Sequence, residues 1–188
     1  MNDVMTYSES IEYIQTSVAK IDVLLNGLIK LSRIGRGKLT INTIDMNYLL
    51  YNIKNELGDK MKSLNIIFRI EKLLPCMGDR IQINRVFTNL LENAIKYIDP
   101  NRKGIIHVSS ILNGNKVRYC IEDNGIGISP ENQKKIFNIF YRINPGNPGS
   151  EGLGLTIVKK IIERHNGTVR VESEFGSGSK FYVELEKS

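Results

Sequence analysis

Asn89, Asn93 and Lys96 recur at i, i+4 and i+7, which places all three on one side of a helix, beside an apolar stripe. A carboxamide oxygen is a hard, neutral ligand suited to Mg²⁺, and a lysine one turn later can neutralise phosphate. Together they could hold a metal-bound triphosphate. The same residues would also make an ordinary solvated face with locally bonded asparagines. A second group, Asp123, Gly125 and Gly127 in EDNGIGI, follows the apolar run Val117 to Ile121. An aspartate at a strand end can accept a hydrogen bond from an exocyclic amine such as that of adenine, and glycines let the backbone approach a planar base. Two glycines after Asp-Asn equally describe a turn. A third group, Gly152 and Gly154 in GSEGLGLTIVKKII, sits where a loop becomes a helix, so that unpaired amides and the positive dipole end can face an anion. No Gly-Lys-Ser/Thr follows, so this is not a Walker motif. Arg142 to Glu151, rich in Gly, Pro and Asn, has the composition of a mobile flap over a site, or of a plain surface loop.

The elements that must position these groups are legible. Asp79 can cap a helix whose apolar face is Ile83, Val86, Phe87, Leu90, Leu91, Ala94 and Ile95. Asp45 can cap an earlier helix through Tyr48, Leu49, Ile53 and Leu57, preceded by the extended stretch KLTIN and followed by the strand NIIFRIE. Period-two alternation marks strands at Val117, Tyr119 and Ile121, at Val169 and Val171, and at Phe181, Val183 and Leu185. The turn residues NGN at 113–115 and GSG at 176–178 predict antiparallel hairpins over 104–123 and 168–186. A helix from about Leu153 to His165 stops at Asn166-Gly167. The expected fold class is α+β, a two-layer sandwich with helices on one face of a mixed or antiparallel sheet.

Residues 4–34 form a separate helix. Ile11, Ile14, Val18, Ile21, Leu25 and Leu28 follow heptad spacing, and Leu24 and Leu31 widen the seam as a bundle requires. Packing on its own domain is the alternative. Gly35 and Gly37 are expected to break this helix, dividing the chain into 1–36 and 37–188.

Composition narrows the classes. With 188 residues, 41% hydrophobic and 24% charged, the chain suits one compact domain with a helical appendage. No spanning run or signal peptide is readable, and Cys76 and Cys120 are isolated, so a reducing, cytoplasmic setting is expected for this segment, while a longer protein containing it could be membrane-attached. The net charge of +6 is dispersed along the chain, and Phe137, Phe140 and Tyr141 are not interleaved with basic residues on strands; nucleic acid is therefore not an expected partner.

In order, these segments closely resemble the ATP-binding catalytic domain of sensor histidine kinases, within the superfamily that includes DNA gyrase, heat-shock chaperones and mismatch-repair ATPases. NLLENAIKY at 89–97 resembles the family's N box, DNGIGI at 123–128 its first glycine box, and KIFNIFYR at 135–142 its F box. GLGL at 152–155 and GSGSKF at 176–181 resemble its later glycine boxes. The resemblance implies that Asn93 holds Mg²⁺ with Asn89 beside it, and that Lys96 and Tyr97 approach the nucleotide. It further implies that Asp123 binds the adenine amine, Gly125, Gly127 and Ile128 shape the base pocket, and Gly152, Leu153, Gly154 and Leu155 face the phosphates. Phe137 and Phe140 would pack the base of the lid and Arg142 would reach phosphate. Ser150-Glu151 departs from the pattern of many relatives, which carry a further Gly and a Thr there.

By the same resemblance, residues 4–34 look like the second helix of a dimerisation and phosphotransfer domain, which implies a homodimer and a phosphoacceptor histidine on a first helix upstream. The activity implied is transfer of the γ-phosphoryl of ATP to that histidine and relay to a response-regulator receiver domain. The alternatives are an ATPase or a nucleotide-binding module of the same superfamily. In the ATPases a glutamate stands at the position of Asn89, and Glu92, about 300° around the helix from it, does not replace that role. His107 and His165 both look structural, the latter as a cation at a helix C-terminus.

Overall fold

A computed structural model of the chain describes residues 7–143 and 152–188. The first element, α1 (Tyr7–Arg36), is followed by β1 (Ile41–Ile44), α2 (Met46–Ser63), β2 (Ile67–Ile70), β3 (Cys76–Asp79) and α3 (Arg80–Lys96). Then come β4 (Ile105–Asn113), β5 (Lys116–Asp123), a single turn α4 (Pro130–Gln133), α5 (Gly154–Arg164), β6 (Thr168–Glu174) and β7 (Gly178–Glu186). Five strands form a mixed sheet in the order β2-β4-β5-β7-β6. Among the described strands only β2 and β4 run parallel, and both expected hairpins, β4–β5 and β6–β7, are antiparallel. A small antiparallel pair, β1 and β3, is linked to the main sheet by a bridge between Cys76 and Lys187.

The two capping aspartates act as their positions require. The Asp45 carboxylate accepts from the amides of Asn47 and Tyr48, and that of Asp79 from Ile81 and Gln82, so each satisfies first-turn donors. The apolar face of α3 is buried from Ile83 to Ile95 and meets Val117, Tyr119 and Ile121 of β5 and Ile157, Val158, Ile161 and Ile162 of α5 in one core. Phe87 and Tyr119 contact edge-to-face at 5.5 Å, and the Tyr119 hydroxyl finds its partner in the Leu74 carbonyl at 2.7 Å.

Two expectations change. Helix α1 continues through Gly35 to Arg36, because Arg164 of α5 donates to the carbonyls of Ile34 and Gly37 and so satisfies acceptors at the helix end. His165 does not serve the helix end as expected. It is buried, its Nδ1 2.7 Å from the Ile161 carbonyl and its Nε2 accepting the Asp79 amide at 3.0 Å. That acceptor role requires a lone pair on Nε2.

Helix α1 divides along its length. Ile34 is buried and Leu31 packs on the core, whereas Ile11, Ile14, Val18, Ile21, Leu25 and Leu28 remain about half exposed as a row. Residues 4–6, the Leu24 side chain and the expected flap at 144–151, with Ser150-Glu151, lie outside the described residues. No helix among those described is long and apolar enough to cross a membrane.

Candidate functional site

Asn89, Asn93 and Lys96 stand on the partly exposed side of α3, opposite its buried stripe. Asn89 Nδ2 donates to the Arg85 carbonyl at 2.7 Å, which leaves its Oδ1 turned toward Gly154 at the start of α5. The ammonium of Lys96 lies 5.4 Å from the centroid of the Tyr97 ring. Tyr97 ends α3, and its carbonyl accepts the Ile126 amide at 2.9 Å, joining the helix to the glycine loop that follows β5.

Asp123 is the last residue of β5 and faces the helical layer, in line with Val117, Tyr119 and Ile121. It is 7% exposed, one of few polar side chains within the described core. Burial pushes its carboxyl up to about 6, against the opposing pull of the Gly125 and Ser179 amides and of Arg102. The Gly125 amide donates to Oδ1 at 2.8 Å. A side chain at Gly125 would collide with the Tyr97 carbonyl and this carboxylate. Gly127 adopts a φ of +70° with the Glu174 carbonyl against it, which only glycine accommodates without strain. Ile128 continues the loop, its amide donating to Ser173 Oγ at 2.8 Å.

Across from this loop, α5 begins at Gly154 with no side chain among the described residues capping its first turn, where helix amides lack a partner within the helix. Leu155 packs partly against the core. Phe140, at a φ of +60°, and Gly152, at +68°, bring their backbones together, closing the chain on either side of 144–151. Arg142 lies just before that segment. The side chains of Phe140 and Leu153 meet α1, where Gly27 leaves room for them. Phe137 is half-buried on the core.

Thus α3, the loop after β5 and the start of α5 come together at one end of the sheet. Among the described residues no three His, Cys, Asp or Glu side chains gather as a metal site. Asn93 offers a single neutral oxygen, which fits Mg²⁺, an ion usually held by one or two protein ligands together with substrate phosphates and water. A cleft of about 360 Å³, bordered by Arg69, His107, Glu122, Asp123, Asn124 and Ser177 among others, reaches from Asp123 round to the sheet's opposite face. There His107 Nε2 is 3.0 Å from Glu71, and Lys180 is 2.9 Å from Glu122.

Three residues that hold the glycine loop escaped the sequence reading. Asn124 accepts the Ile105 amide at 2.7 Å and donates to the Lys103 carbonyl at 2.9 Å; Ser173 receives the Ile128 amide; Arg102 reaches the carbonyls of Gly125 and Gly176. The Asp-Asn pair was a signal for a turn, but a lone arginine in a polar loop carries none.

Residues 78–188 match the family described as histidine kinase-, DNA gyrase B-, and HSP90-like ATPase. The chain is 39% identical over 171 residues to cyanobacterial phytochrome B of Nostoc sp., covering 89% of this chain and 23% of that protein. It is 37% identical over 166 residues to sensor protein RprX of Bacteroides fragilis, covering 84% and 32%. It spans less than a third of the length of these curated relatives. Among solved structures, the catalytic domain of histidine kinase ThkA is similar at 30% identity and a TM-score of 0.68, over 78% of this chain and 97% of that one. ThkA in complex with the response regulator protein TrrA is similar at 26% identity and a TM-score of 0.71, over 100% of this chain and 53% of that one.

Proposed function

Because the chain belongs to the histidine kinase-, DNA gyrase B- and HSP90-like ATPase family, we propose that it is the catalytic part of a protein-histidine kinase. It binds Mg·ATP and passes the γ-phosphoryl group to a histidine other than its own two. The observation that carries the reading is the convergence of a buried Asp123, the polar face of α3 and the start of α5, uncapped by any described side chain, at one end of the sheet.

Asp123 is placed to accept the adenine amine, with Gly125, Gly127 and Ile128 giving the base a flat approach. Asn93 would hold Mg²⁺, with Asn89 beside it, and the ion when bound would neutralise charge on the terminal phosphates. Lys96 and the leading amides of α5, at Gly154 and Leu155, favour the same negative charge. In the transfer an imidazole nitrogen forms a bond to the γ-phosphorus, the bond from that phosphorus to the β,γ-bridging oxygen breaks, ADP leaves, and the imidazole gives up its proton. Positioning and charge neutralisation do most of this work, so no strong base is needed. Asn89 cannot take a proton from water as a carboxylate would, and Glu92 is exposed on another side of α3, which disfavours hydrolysis.

Neither histidine of the chain suits the acceptor role. His165 is buried with both ring nitrogens engaged, and His107 sits on the sheet face away from α3. ThkA has been seen with a response regulator, and a receiver domain is the corresponding partner proposed here. The exposed apolar row of α1 supports a bundle partner, proposed to be a second copy of the kinase.

The test is nucleotide titration with phosphotransfer to an added helical polypeptide bearing the phosphoacceptor histidine. Asp123→Ala should weaken ATP about tenfold or more, and Asn93→Ala should abolish labelling while sparing much of the ADP affinity. Acid-labile, base-stable phosphate should appear on the added polypeptide. Unchanged affinity in a folded Asp123→Ala protein, or stoichiometric labelling of His107 or His165, would overturn the reading.

A further inference from the structure

The short loop between α3 and β4 carries Arg102, whose side chain leaves its own segment to reach two others. Its Nη2 donates to the Gly125 carbonyl at 2.6 Å and to the Gly176 carbonyl at 2.8 Å. Gly125 belongs to the loop after β5, and Gly176 to the turn between β6 and β7. One guanidinium nitrogen therefore joins the two glycine segments that border the buried carboxylate of Asp123.

The arginine is itself held. Asp99 Oδ2 lies 3.6 Å from its Nε, and the Arg102 amide donates to the Asp99 carbonyl at 3.3 Å. The other carboxylate oxygen of Asp99 accepts from the amide of Asn101 at 2.9 Å and from its side chain at 3.1 Å, which fixes the turn. The two segments also touch directly, the Gly176 amide donating to the Ile126 carbonyl at 2.8 Å. Glycines contribute no side chains to tie such loops, and their backbone freedom would otherwise be lost only on ligand binding. A guanidinium suits the task because it presents several N–H donors in a rigid plane.

We propose that Arg102 is a positioning residue of the base pocket: by clamping the Gly125 and Gly176 carbonyls it pre-organises the loop on which Asp123 accepts the base. This rests on the assignment of Asp123 to the adenine amine. Arg102 touches no reacting atom and acts through Gly125, whose amide donates to the Asp123 carboxylate while its carbonyl receives the arginine.

Its charge adds a second signature. Among the described residues, the charged groups that bear on Asp123 are Arg102 from the loop and Glu122 on the opposite face of the same strand, where Lys180 of β7 pairs with it, and Arg69 and His107 border the same cleft. Burial raises the Asp123 carboxyl and Arg102 opposes that rise. Replacing the guanidinium by a neutral side chain should therefore raise the pH at which base-dependent affinity is half lost.

The experiment is titration of the full chain with metal-free ADP from pH 5 to 8, for wild type, Arg102→Gln, Arg102→Lys and Asp123→Ala. Arg118→Gln serves as a control, because Arg118 pairs with Glu184 at 2.7 Å away from the glycine loops. Arg102→Gln should weaken ADP about tenfold and move the midpoint upward, Arg102→Lys should restore the midpoint and part of the affinity, and Arg118→Gln should change neither. Wild-type affinity and midpoint in Arg102→Gln, or equal losses in Arg102→Gln and Arg118→Gln, would overturn the proposal. If Arg102→Gln does not fold, Arg102→Lys decides: full wild-type affinity in that variant would rule out the clamp. Unchanged ADP affinity in Asp123→Ala would instead overturn the underlying site assignment.

Discussion

Gly154, the first residue of α5, faces Asn89 of α3 so closely that a Cβ at position 154 would lie 3.0 Å from Asn89 Oδ1. The contact sets the start of one helix against the polar face of another, and its only yielding part is a carboxamide anchored by one bond to the Arg85 carbonyl. Gly154→Ala should therefore displace Asn89 and leave the core alone. Alanine favours a helix over glycine by about 0.5–1 kcal/mol, so the melting temperature should hold or rise while ATP affinity falls several-fold. Parallel melting and titration check this; lower stability with normal binding would contradict it.

Asp123 predicts an unusual pH dependence of stability. Its folded carboxyl is raised to about 6, so the contribution of this group is fully present below the unfolded carboxylate range and is lost as pH rises through about 6. At about 1.4 kcal/mol per unit, wild type should lose about 2–3 kcal/mol relative to Asp123→Asn between pH 4 and pH 7. Urea unfolding at the two pH values measures the difference. A constant gap between the proteins would show that burial does not strain this carboxylate.

His165 joins the end of α5 to the start of α3 through the Asp79 amide. Its removal by His165→Ala leaves a partly buried N–H unpaired, at a cost of about 1–3 kcal/mol. Chemical unfolding should register this loss, while nucleotide affinity, set at the other end of α5, should remain near wild type. A large affinity change with little loss of stability would place His165 in the site instead.

Gly27 is where α1 meets Leu153 and Phe140: a Cβ there would approach Leu153 Cδ1 to 2.6 Å and Phe140 Cε1 to 3.0 Å. Gly27→Leu should push α1 off this surface and expose residues 34–40 to proteolysis, with the sheet intact. Limited digestion followed by mass analysis reads the outcome. The exposed row from Ile11 to Leu28 should drive weak self-association at rising concentration, abolished by Ile14→Glu with Ile21→Glu.

The two hairpins, the capped helices α2 and α3 and the class of sheet were legible because each rests on local chemistry. A capping carboxylate, a two-residue alternation and a glycine turn declare themselves within a few positions, as Asp79, the run from Val117 to Asp123 and GSG at 176–178 do. The ordered glycine segments likewise disclosed the family. The end of α1 was legible only to within two residues: Gly37 follows its last residue, Arg36, but Gly35 also reads as a breaker until Arg164, distant in the chain, bonds the helix terminus.

By itself, then, the sequence determined the periodicities, the caps and the residue types able to meet a base, a phosphate and a hard metal ion. The tertiary structure decided which of them come together: Asn89 against Gly154, the Tyr97 carbonyl against the loop of Asp123, and Arg102 across two glycine turns. It also decided that the Asp123 carboxyl is raised and what His165 bonds, because burial and the direction of a neighbouring amide exist only once distant segments have packed.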